Sequence, residues 1–110
     1  MPTMPEKLSK ESFAEHLNTK FQVVHEVEGV PEVYLELAEV VEFPTLTHSR
    51  GDVERFSLFF TGPSNIRLSQ GTYRLAHERM GELNIFLVPI EQAPGDIRYE
   101  AVFSYYNEEA

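Results

Sequence analysis

His16, His25, His48 and His77 are the side chains in this chain best suited to moving protons or holding a metal near neutral pH. Their spacing forms none of the HxH, HxxxH or HExxH patterns that put ligands on one face, so no zinc or iron shell is assigned. His25-Glu26 and His77-Glu78 are adjacent pairs, which in a strand point to opposite faces. His25 shares its face with Phe21 and Val23 and reads as a hydrogen-bonded rim histidine. Ser49 lies beside His48 with Asp52 close by, which supplies the residue types of a nucleophilic triad. Neighbours in one loop do not supply its geometry, and no strand-to-helix nucleophile elbow is present. Glu39 points inward, with a raised pKa, only if its strand keeps the phase of Leu35 and Leu37. A bulge there leaves it solvated, and the bulge is the reading adopted. Arg50-Gly51-Asp52 spells an adhesion tripeptide and is read as a turn. No glycine sits in a phosphate-cradling loop that opens a helix. These readings assign no catalytic residue, no metal and no cofactor.

The elements that must position these residues follow from hydrophobic period. Residues 1–7 hold two prolines and no period, and read as a flexible arm. Ser9 or Ser12 can cap a helix; Ser12 with Glu15 has capping-box spacing, and Phe13 and Leu17 make one apolar stripe. The pattern predicts two to three turns ending near Asn18. From residue 20 the period becomes 2. Strands are predicted over Phe21–Val27, Val33–Phe43, Arg55–Thr61, Gly71–His77, Leu83–Val88 and Tyr99–Phe103, with a bulge near residues 39–41. Residues 44–52 have the composition of an exposed loop. Phe86 and Val88 alternate with Ile85 and Leu87, which predicts a strand covered on both faces, the helix supplying the outer cover. Residues 8–106 form one β domain and 107–110 a frayed tail.

Six strands at hairpin spacing, with no second helix for crossovers, predict antiparallel pairing. The fold class is mainly β: a small antiparallel β-barrel with a short N-terminal α-helix, or alternatively a two-layer β-sandwich.

The 110 residues fit one core, and 42% hydrophobic with 25% charged residues is an ordinary globular balance. Eighteen acidic against nine basic side chains leave a net charge of −9. Scattered arginines in an acidic chain do not make the basic stripe that nucleic acid requires, and anionic membranes repel such a surface. The absence of cysteine excludes disulfides and thiolate metal sites. No apolar run reaches the length of a membrane-spanning helix or of a signal core, so the expected compartment is the cytoplasm.

Three segments carry a family resemblance: Phe56-Ser-Leu-Phe-Phe-Thr-Gly-Pro63, Leu68-Ser-Gln-Gly-Thr-Tyr-Arg-Leu-Ala-His77 and Gly81-Glu-Leu-Asn-Ile-Phe-Leu-Val-Pro89. With the closing Arg98-Tyr-Glu-Ala-Val-Phe103, they resemble the bacterial domain of unknown function 6916 family. The match covers about half the chain, and the N-terminal third is similar in pattern. The resemblance implies a compact, mainly β bacterial domain and a link to phage-tail or fibre-like assemblies. It transfers no catalytic residue.

The function expected is a non-enzymatic protein-interaction or assembly module, binding another protein or a second copy of itself. The candidate surface is the 44–52 loop with His48, Arg50 and Asp52, together with the outward aromatics Tyr34, Phe86 and Tyr105. The alternative is a barrel holding a small apolar ligand, which must compete for space with Phe56, Leu58, Phe60, Tyr73 and Phe103.

Overall fold

A computed structural model describes residues 9–25, 32–48, 51–90 and 96–108, with 45–48, 51–52 and 105–108 described by their backbone. The arm at 1–7, the turn at 29–31, Ser49, Arg50, the turn at 93–95 and residues 109–110 lie outside the described residues.

One short helix, α1 (Lys10–Ala14), opens the fold. Ser9 caps it, its Oγ accepting from the Ser12 backbone N–H at 3.1 Å, so Ser12 is the capped residue and not the cap. The helix is shorter than its apolar stripe predicts. The chain leaves it through a turn to Asn18, which adopts a left-handed φ of 68°. Asn18 N–H then donates to the Leu37 carbonyl and Leu37 N–H to the Thr19 carbonyl, docking the turn onto the sheet.

Six strands follow: β1 (Lys20–Val23), β2 (Val33–His48), β3 (Gly51–Pro63), β4 (Gly71–His77), β5 (Gly81–Ile90) and β6 (Asp96–Glu108). All pairings are antiparallel and close a barrel in the order β1-β2-β3-β6-β5-β4. The barrel is therefore the architecture, not the sandwich. β1 stops at Val23, short of the expected Val27, and His25 lies exposed beyond its end. The register of β2 on β3 slips by one residue at Ala38, a bulge one position before the expected stretch. It turns Glu39 outward and brings Val40 against the core.

Of the exposed loop expected at 44–52, the described residues belong to strands. β2 continues to His48 and β3 begins at Gly51, with Leu46↔Val53 and His48↔Gly51 in register. A second slip at Pro44-Thr45 accommodates the missing proline N–H. Thr45, Thr47 and Val53 are β-branched and favour a pleated ladder, although their polar neighbours suggest a loop. β6 pairs with β3 as far as Gly51↔Glu108, so the strand extends two residues into the stretch expected to fray.

Inside, Phe21, Leu35, Leu37, Leu58, Phe60, Leu75, Leu87 and Tyr99 are fully buried. Large rings thus fill the lumen, as a six-strand barrel requires. Phe13 closes one end, its ring 5.5 Å from Phe103 and 6.3 Å from Phe56, which stack on each other at 5.0 Å. The helix therefore plugs the barrel between β3 and β6 and does not cover the outer face of β5. Phe86 is left 49% exposed, against the two-sided cover expected for its strand.

Candidate functional site

Two regions gather side chains capable of recognition or proton transfer: a groove around His77, and the outer face of the sheet.

The groove is open, about 680 Å³, and runs between the post-helix turn and the β4–β5 hairpin. His16, Thr19, Lys20, Tyr34, His77 and Arg79 are among its lining residues. His77 ends β4 and is 7% exposed. Its Nδ1 accepts backbone N–H groups of Arg79 (3.0 Å) and Met80 (3.2 Å), capping the hairpin turn. In the neutral ring the hydrogen must then sit on Nε2, which donates to Thr19 Oγ1 at 2.9 Å. Thr19 in turn donates to the His16 carbonyl at 2.6 Å. His16 Nδ1 donates to the Ser12 carbonyl at 2.9 Å, and the two imidazoles meet edge to face at 4.7 Å. Phe21 lies against the other side of His77, 4.4 Å away. Burial first, then the neighbouring His16, lowers the His77 pKa below 6.5; Arg79 acts the same way and Glu78 opposes. Both ring nitrogens are thereby committed to structural partners. Among the described residues, no three His, Asp or Glu side chains converge as a metal shell.

The outer face is built by alternation. Phe56, Leu58 and Phe60 point inward, so Arg55, Ser57, Phe59 and Thr61 point out. Register aligns them in rows with β2 and β6: Phe43, Arg55 and Ser104; Val41, Ser57 and Val102; Glu39, Phe59 and Glu100. Ser57 is only 1% exposed despite facing outward, and it donates to Glu100 at 2.8 Å. Val102 is 65% exposed. β5 pairs with β6 from Val88↔Glu100 to Ile90↔Arg98, and Phe86 lies on β5 two residues beyond that ladder. Among the described residues, Phe86 and Val102 are two of the three large exposed apolar side chains. Arg98 lies over the Phe59 ring at 4.6 Å and bonds Glu39 at 2.6 Å, while Arg55 lies over the Phe43 ring at 5.6 Å.

The residues singled out in the sequence do not form one cluster. Tyr34 is exposed on β2 beside the groove, its hydroxyl donating to Glu32 at 3.1 Å. Phe86 is on β5, exposed and opposite Thr72 of β4. The backbones of His48, Asp52 and Tyr105 lie toward the far end of the β2–β3–β6 ribbon, and Arg50 is outside the described residues. Val102, Arg55 and the His16–His77 pair were not singled out. Alternation placed Val102 outward between Ala101 and Phe103, a signal that was present; the other two depend on register and topology.

No helix among the described residues is long and apolar enough to cross a membrane. A family model described as "Domain of unknown function (DUF6916)" matches residues 8–103. No curated protein and no solved structure matches the chain.

Proposed function

This chain belongs to the DUF6916 family of domains of unknown function, and on that premise we propose that it is a non-enzymatic interaction and assembly module that docks another protein on the outer face of β3, β6 and β5. The observation that carries this reading is the exposure of Phe86 on β5 and Val102 on β6, large apolar side chains on two strands that pair from Val88 to Ile90. Apolar side chains of this size on the outer face of a sheet are the kind of surface that partners cover. The ionisable groups of the groove support it indirectly, because His77 is bonded through both nitrogens to its own fold. The family resemblance suggests phage-tail or fibre-like assemblies as the setting.

Affinity purification from the native host, with the wild-type chain and a Phe86→Ser/Val102→Ser variant side by side, tests the reading. A partner held by the wild type and lost by the folded variant is the expected result. Identical recovery by both would remove the outer face from the proposal.

A further inference from the structure

β2, β3 and β6 form a three-stranded ribbon whose two outer edges are unequally guarded. Past its pairing with β1 at residues 33–36, β2 slips register at Ala38 and again at Pro44-Thr45. Pro44 offers no N–H, and Lys10 of α1 stands 3.4 Å from Glu42. Bulges, prolines and lysines are the devices that stop a strand edge from pairing further. β6 carries none of them. Its thirteen residues include no proline or lysine, and its ladder on β3 runs from Pro63↔Asp96 to Gly51↔Glu108 without a shift. On its other side, among the described residues, β5 pairs with it only from Arg98 to Glu100. Residues 104–108 are therefore extended backbone with a strand neighbour on one side.

We infer that residues 104–108 of β6 are a self-association edge, on which a second copy of this chain pairs antiparallel across a two-fold axis. Each chain offers the same edge to the other, which a two-fold requires, and two ribbons become one sheet of six strands. A register centred on Tyr106 sets that position opposite its own copy, Tyr105 opposite Asn107 and Ser104 opposite Glu108. No two like charges then face each other, and aromatic positions meet at the axis. The guarded edge of β2 ends the sheet at six strands. The net charge of −9 opposes the meeting of two copies, and salt relieves that repulsion. The inference uses the edge of β6 and not its outer face, so it stands or falls apart from the docking reading above.

Sedimentation equilibrium and amide hydrogen exchange on the full chain, over about a hundredfold range of concentration, test it. Successive N–H groups of an antiparallel strand point to opposite sides. In dilute protein alternate amides of residues 104–108 should exchange fast, and the same amides should slow as the mass rises to that of a dimer. Added sodium chloride should promote the rise. Tyr105→Pro and Tyr106→Pro separate the two sides of the strand: one removes an N–H from the β3 ladder, the other removes the N–H at a fast-exchanging position. The second of these should stay folded and associate about tenfold more weakly or worse, because each dimer loses two hydrogen bonds. A chain that stays monomeric throughout overturns the inference. So does a dimer that protects β2, or residues 81–87 of β5, in place of residues 104–108. A folded edge-proline variant that dimerises like the wild type overturns it as well. If neither proline variant folds, the concentration dependence of exchange at residues 104–108 decides alone.

Discussion

His77 couples protonation to folding: burial first, then the neighbouring His16, holds its pKa down, and its hydrogen bonds act in the same direction. Protonating Nδ1 would replace an acceptor of two backbone N–H groups with a donor aimed at them. The native chain therefore takes up this proton at lower pH than the unfolded chain, whose histidine titrates near 6.5. Since the unfolded state binds more protons in that window, stability rises with pH through it. The contribution is fully present above about pH 6.5 and declines as the pH falls toward the depressed native value. Urea unfolding at pH 7.5 and 5.5 should give a lower midpoint at 5.5, with a shallower difference in His77→Ala. That variant should also lose about 2–3 kcal/mol at pH 7.5, from two uncapped N–H groups and the ring's packing on Phe21. No pattern around His77 in the sequence announces this role. Its partners come from Thr19 and a turn of its own hairpin, and only the β1–β4 pairing brings Thr19 near.

At the scale of elements, what could be read from sequence followed burial. Phe56, Leu58 and Phe60 alternate so strictly that β3 and its inward face were legible, as were β4 and the Phe13 stripe. Legibility failed where composition and packing disagree. Thr45 and Thr47 read as loop by polarity yet extend β2, because a bulge at Pro44 lets the ladder continue to the hairpin. Phe86 reads as buried by hydropathy yet is half exposed, because α1 packs at the barrel end and not over β5. The outer-face site could not be read at all, since Arg55, Val41 and Val102 become neighbours only once three strands are in register. Phe13 tests the helix's part in the core. Phe13→Ala removes a fully buried ring touching both Phe56 and Phe103, and chemical unfolding should show a loss of about 3–5 kcal/mol.

The whole molecule is closed unevenly. β3 is laddered on both sides along nearly its full length, by β2 and β6. By contrast β1 meets β4 only at Gln22↔Ala76 and Val23↔Leu75, and β5 meets β6 only from Val88 to Ile90. Stability is therefore expected to be graded around the barrel. Amide hydrogen exchange should be slowest in Phe56–Phe60 of β3 and fastest, among the strands, in β1. Uniform protection around all six strands would contradict the graded picture.

The strand order carries a last consequence, for how the protein is made. β6 is wedged between β3 and β5, so neither of those strands has its second neighbour until residues 96–108 are available. A ribosome delivers the chain from its N-terminus, and the first five strands emerge as an incomplete cylinder with two bare edges. Such edges invite pairing with other nascent chains. Closure must wait for β6 to join the first five strands, so the interval before residues 96–108 pair is the moment at which this fold is most in need of a chaperone.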